Sequence, residues 1–250
     1  MLSDEIKITY IGGATALLEV AGIRFLTDPT FDKSGAEFRN NLYVLHKTTD
    51  PTLSATGVGN IDVVLLSHDH HFDNLDNSGR NFLAGVKTVY TTPAGAERLG
   101  GNAVGLANWQ TVEVPAKDGR IITITGTPCR HGPVGGDRGP VTGFVLGIKD
   151  VDKGSVYISG DTVWYEGVAA VADRFDIKIA VLFMGAAVVK SVGPAHLTMT
   201  AGEAVEAARH FSHAQIVPLH FEGWAHFTES RAEIEREFGE ARLLHRLRWS

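Results

Sequence analysis

Cysteine is almost absent: Cys129 stands alone among 250 residues. No intrachain disulfide can form, and thiolate-rich zinc sites are excluded; Cys129 itself reads as a small buried residue. Basic residues are in the minority, 23 Lys and Arg against 29 Asp and Glu, for a formal net charge of −6. Capture of nucleic acid or an anionic membrane needs clustered positive charge, so neither is expected as a partner. Long apolar runs are missing too. The longest uncharged one, Ile179 to Val189, falls well short of the roughly 20 residues of a spanning helix. The opening MLSDEIKITY lacks a secretory pattern, and no fixed-period repeat or Pro/Ser-rich linker divides the chain. A hydrophobic fraction of 44% is enough for a packed core. The expectation is one cytoplasmic domain over residues 1–250, with homo-oligomerisation left open.

Short β-type runs at Ile6–Ile11, Ala16–Val20 and Ile23–Thr27 are separated by Gly-containing turns. Residues 32–57 are polar and turn-prone and read as an irregular loop, a candidate site wall. Ile61–Leu66 is a continuous apolar run of the kind that is buried on both faces. Further strands are expected at Thr88–Thr91, Thr111–Val114, Ile121–Thr125, Thr142–Ile148, Val156–Ser159, Ile179–Phe183 and Ile216–Leu219. Thr200 with Glu203 and Ser230 with Glu233 fit capping boxes that open helices to about Phe211 and Phe238. Pro93–Leu99 and Trp164–Ala172 are weaker helical candidates. Many strands with interleaved helices imply sheet layers covered by helices.

Histidine, by contrast, is plentiful, with 11 in the chain. Three of them sit in Ser67-His68-Asp69-His70-His71-Phe72-Asp73-Asn74, directly after the buried run. In extended chain, side chains two apart point the same way, so His68 and His70 can reach one point. A helix starting there would return Asp73 and Asn74 to the face of His70. His131, Asp161 and His220 each follow another β run, at the strand ends where sheet-based folds place their sites. Imidazole and carboxylate are the donors that zinc, iron and manganese accept when thiolates are absent.

These segments, together with ITYIGGATALLEV, FLTDP, LLSHDHHFDNLD, TPCRHG, YISGDT, AHLTMTAGEAVEAA and VPLHFEGWAHF, resemble the metallo-β-lactamase-fold hydrolases. Within them the sequence is similar to the ascorbate-6-phosphate lactonase-like branch. The resemblance spans nearly the whole chain and implies an α+β fold, a four-layer αββα sandwich with its site at one edge between the sheets. It also implies one or two divalent cations, with zinc ahead of manganese or iron. His68, His70 and His131 would hold the first, Asp161 would bridge, and Asp73 with His220 would hold the second.

The chain departs from the family's His-x-His-x-Asp-His motif in two ways. One residue is inserted, so Asp73 falls five positions after His68, and Asn74 stands in place of the last histidine. A second register, Asp69-x-His71-x-Asp73, restores the spacing but begins on an acid; the Leu66-Ser67-His68 junction favours the first. His71 and Asn74 are open between ligand and supporting roles, and Asp69 and Asp28 are candidates for orienting ligands. Gly13 stands where relatives often carry histidine, and Trp224 and His226 are candidate pocket walls. His210, His213 and His245 read as surface residues.

A bound cation lowers the pKa of its water from 15.7 to about 7 and supplies hydroxide at neutral pH. The expected function is a metal-dependent hydrolase acting on a small-molecule ester, lactone or phosphoester. Asp73 and His196 are its candidate catalytic side chains, and Arg130, Arg138 and Lys190 are candidate contacts for an anionic group. The alternatives are a phospholipase-D-like phosphodiesterase and a weakly catalytic metal-binding scaffold or sensor.

Overall fold

The computed structural model describes residues 1–250. A single turn of helix, α1 (Leu2–Glu5), precedes an antiparallel meander of β1 (Lys7–Gly12), β2 (Thr15–Val20) and β3 (Ile23–Thr27). A separate hairpin of β4 (Glu37–Arg39) and β5 (Val44–His46) follows. The chain then returns as β6 (Val63–Leu65), α2 (Asn77–Leu83), β7 (Thr88–Thr91), α3 (Pro93–Leu99) and β8 (Ala103–Gly105). These strands extend the meander in parallel, giving the order β1-β2-β3-β6-β7-β8.

The second sheet starts as a meander of β9 (Thr111–Pro115), β10 (Ile121–Pro128), β11 (Thr142–Ile148) and β12 (Val151–Ile158). It continues through α4 (Glu166–Arg174), β13 (Asp176–Phe183), α5 (Ala201–His210) and β14 (Gln215–Leu219), and α6 (Arg231–Glu240) closes the chain. Its order is β14-β13-β12-β11-β10-β9, with the β14–β13 and β13–β12 joins parallel.

Alternation along the strands builds the layers. Leu18, Phe25 and Leu65 of the first sheet meet Ile124, Phe144, Ile158 and Val181 of the second in a shared core. The intervening residues face outward: Leu17, Leu26 and Val64 pack against Leu83 of α2, while Ala180 and Leu182 pack under Val171, Ala204 and Phe238 of the outer helices. Helices, sheet, sheet, helices is the αββα sandwich. Burying each large apolar side chain in these cores contributes about 1.5–3 kcal/mol. Both expected helix starts form: Thr200 Oγ accepts from Glu203 N at 3.0 Å, and Ser230 N donates to Glu233 Oε2 at 2.6 Å.

Several expectations need correction. Residues 32–57 contain the β4–β5 hairpin, whose apolar residues Phe38 and Leu45 pack on Trp224. Ile61–Leu66 yields strand only over Val63–Leu65, although the whole run is apolar. The helical candidate Trp164–Ala172 starts at Glu166 and ends at Arg174. Three short elements, α1, α2 and β8, carry too little periodicity to have been recognised. No helix is long and apolar enough to cross a membrane.

Candidate metal centre

The loops leaving β6, β10, β12 and β14 bring their polar side chains to one edge of the sandwich. The first of them does not become a helix. Residues 68–76 run through turns until Asp76 caps α2, its Oδ1 accepting from Gly79 N at 2.8 Å. The inserted residue is absorbed between His68 and His71, and Asp69 and His70 are turned aside. Arg98 holds the Asp69 carboxylate through Nε at 2.9 Å and Nη2 at 2.5 Å, while Arg80 Nη2 donates to the Asp69 carbonyl at 2.6 Å. His70 Nε2 donates to the carbonyl oxygen of Arg138 at 2.9 Å.

His71 takes the position expected of His70. His68 Nε2 lies 2.9 Å from His71 Nδ1, and His131 Nε2 lies 3.1 Å from the same atom. Asp161 Oδ2 stands 3.5 Å from His131 Nε2 and 4.0 Å from His68 Nε2. Donors bound tetrahedrally at 2.0–2.1 Å lie about 3.3 Å apart, so this set surrounds a single point. His70 stays grouped with His68 and His71, while its Nε2 is engaged by the Arg138 carbonyl and it does not join His131 and Asp161. The cluster draws on both registers: His68 belongs to the first, His71 to the second, and Asp73 to both.

Outer hydrogen bonds aim these rings. His131 Nδ1 donates to the Leu197 carbonyl at 2.9 Å, which leaves the Nε2 lone pair facing inward. Ser67 Oγ engages His68 Nδ1 at 2.9 Å. Burial, reinforced by the neighbouring imidazoles, pushes His68 well below the usual histidine range and His71 down to about 3. Both are neutral donors at physiological pH.

A second group shares Asp161. His220 Nε2 lies 3.3 Å from Asp73 Oδ2 and 3.4 Å from Asp161 Oδ1. Burial disfavours a charged His220, but Asp161 and then Asp73 outweigh it and hold the ring up to about 10. Burial likewise opposes ionisation of Asp73 and Asp161, and the facing histidines reverse this, keeping both carboxylates below their ordinary range. Neither nitrogen of His220 has a well-formed hydrogen bond. Two ionised carboxylates and an orphaned imidazole in a buried pocket are a donor set that a divalent cation satisfies. Asn74 Nδ2 donates to Asp161 Oδ1 at 3.2 Å, and so presents no lone pair there.

Above the centre is a small, partly open pocket. His71, Asp73, His131 and His226 form its polar floor; Leu42, Tyr43 and Leu45 of the hairpin and Ala187, Val189, Val192 and Leu197 form apolar walls, with Arg138 at the rim. The other expected residues lie elsewhere. His196 pairs with Glu203 at 3.2 Å beside α5, outside the pocket lining. Arg130 stacks on Tyr165, 4.6 Å from the ring centroid, and Lys190 is exposed. Asp28 is buried beneath the site, where its Oδ1 accepts from Ser67 N at 2.6 Å. Cys129 is half-buried, with its Sγ 3.2 Å from the Ser159 carbonyl. At Gly13, φ is +55° and an added Cβ would sit 2.9 Å from Trp224 Nε1, so the indole fills the space a larger side chain would need.

Sequence reasoning left His71 undecided and gave His226 only a wall. Counting back from Asp73 reveals the first, since His71-Phe72-Asp73 keeps the motif's two-residue step. No local signal marks the second, which enters from a loop 153 positions away in sequence.

Known proteins resemble the chain in sequence and fold. The chain is 28% identical over 239 residues to UPF0173 protein YddR of Bacillus subtilis (strain 168), covering 92% of this chain and 91% of that one. It is 27% identical to a UPF0173 metal-dependent hydrolase of Pyrobaculum neutrophilum, over 86% of this chain and 84% of the relative. Among solved structures, isothiocyanate hydrolase from Delia radicum gut bacteria superposes with a TM-score of 0.80 at 26% identity, covering 97% and 95% of the two chains. The Beta-lactamase superfamily domain matches residues 23–221. The chain belongs to the beta-lactamase superfamily.

Proposed function

We propose that this protein is a metal-dependent hydrolase of small, uncharged electrophiles with an apolar body: lactones, esters or isothiocyanates. The observation that carries the reading is the placement of three converging imidazole nitrogens and two ionised carboxylates below an apolar pocket. His68, His71 and His131 would hold one cation, Asp73 and His220 a second, and Asp161 would bridge, with zinc ahead of manganese or iron on donor chemistry. Such a centre supplies Lewis acidity and a water deprotonated near neutral pH.

The chain's own residues do the rest. Asp73 at the pocket floor accepts a hydrogen bond from the attacking water and orients it. Leu45, Val189 and Leu197 bind the apolar body and exclude bulk water. Arg138 Nη2 donates to the Val192 carbonyl at 3.2 Å, which fixes the guanidinium at the rim, where it meets the polar end of a substrate. A predominantly apolar lining favours neutral substrates over phosphodiesters, whose charge would be desolvated there. The isothiocyanate hydrolase named above, similar over nearly its whole length, supports a small electrophilic carbon as the target.

The test is to strip the protein with a chelator, add back zinc, manganese or iron(II), and assay a γ-lactone, an aryl ester, a phenethyl isothiocyanate and a bis-aryl phosphodiester. Metal-restored turnover of a neutral substrate is expected. Turnover of the phosphodiester alone, or none restored by any cation, overturns the proposal.

A further inference from the structure

The second cation position has a gap in its donor set. At the motif's last place Asn74 turns its amide nitrogen toward Asp161, a hydrogen bond that a carboxylate accepts and a metal cannot use. Asp73, Asp161 and His220 are then the only donors from the expected elements. A fourth side chain enters from the loop that carries His220. His226 Nε2 lies 3.0 Å from Asp73 Oδ2, on the same carboxylate oxygen that His220 Nε2 approaches at 3.3 Å. Its side chain is 8% exposed, and Asp73 is the sole partner of its ring nitrogens, Nδ1 having none.

The ring is held rigidly for this position. The His226 carbonyl accepts from Val188 N at 2.9 Å, and the neighbouring Ala225 N donates to the His46 carbonyl at 3.0 Å. Phe227 packs against both imidazoles, with ring centroids 4.8 Å from His220 and 4.7 Å from His226. The 3.0 Å spacing from Asp73 Oδ2 is that of a hydrogen bond and is also compatible with two ligands sharing one cation, since donors at 2.0–2.1 Å lie about 3.3 Å apart.

We infer that His226 is a ligand of the second cation, supplying from the loop after β14 the imidazole that Asn74 withholds from the motif. The inference rests on the proposed metal-dependent reading and assigns a donor within it.

Metal content by mass spectrometry after equilibrium dialysis against zinc, with cobalt(II) absorption as a second readout, tests it without an activity assay. The wild type is expected to hold two ions. His226→Ala should retain the first at unchanged affinity, which also reports a folded site, and lose the second by more than about 100-fold; a loss of only about 10–100-fold, the cost of removing an outer partner of a ligand, overturns the inference. Adding Asn74→His to His226→Ala should restore the second ion. If His226→Ala still holds two ions at wild-type affinity, or the wild type saturates at one, the inference is overturned while the hydrolase reading stands. A wild type that binds no ion overturns that reading itself.

Discussion

The Nδ1–H of His131 donates to the main-chain oxygen of Leu197 at 2.9 Å, across 66 residues of sequence. This bond fixes the tautomer that turns Nε2 inward, and it links the metal centre to the apolar wall that Leu197 contributes to the pocket. Replacing His131 with Ala is expected to lower affinity for the first cation by at least about 100-fold. Dialysis against buffered zinc reads the loss directly.

His70 and His71 separate cleanly. His71→Ala removes the nitrogen that meets both His68 and His131 and should lower first-site affinity by well over 10-fold. His70→Ala removes only a tether to the Arg138 carbonyl and should leave metal content unchanged. Equal losses in the two variants would restore the spacing read from the sequence.

The proton on His220 gives a pH signature. Its folded value of about 10 lies above the ordinary 6.5, so its pairing with Asp161 and Asp73 stabilises the cation-free protein fully below pH 6.5 and fades as pH rises toward 10. A cation arriving at neutral pH must displace that proton, whereas His68 and His71 are already neutral. Titration calorimetry in buffers of different ionisation enthalpy should report about one proton released from this ring, and affinity that strengthens as pH rises.

Lys47 is buried with Asp76, its Nζ donating to Oδ2 at 3.1 Å and to the Thr30 carbonyl at 2.9 Å. Burial pulls the lysine down and pushes the aspartate up, yet each needs the other's charge. Lys47→Met leaves a buried carboxylate uncompensated and should cost about 3–5 kcal/mol. A lower midpoint in urea checks it.

Leu42 is 69% exposed at the pocket mouth. Leu42→Ala should weaken kcat/KM for a substrate with a long apolar body by roughly 10-fold, through loss of about 1–3 kcal/mol of contact. Metal content should be unaffected. Steady-state assays with a short and a long ester separate this from general damage.

The strands of the two sheets and both capping boxes were legible because period-two alternation and Thr/Ser-x-x-Glu signals are local. Asp161, His131 and His220 were legible for the same reason, each following its own β run. What escaped was set by tertiary geometry. The insertion beside His68 shifts the register by one, and only the grip of Arg98 and Arg80 on Asp69 shows which residues bulge out. His196 looked active because it precedes a helix near the site, but Glu203, one turn into that helix, claims its ring. The β4–β5 hairpin was hidden because its two strands have three residues each and pack on Trp224 from far along the chain.

That hairpin is stitched to the ligand-bearing loop by main-chain bonds, Thr48 N to Gly223 O at 2.9 Å and Ala225 N to His46 O at 3.0 Å. Its base therefore cannot be remodelled without dragging His220 and His226 along. Its tip, residues 40–43, carries no such tie to that loop. Divergence toward new substrates has a narrow window of three positions there, 40–42, because Tyr43 already packs edge-on against His71 with ring centroids 6.1 Å apart.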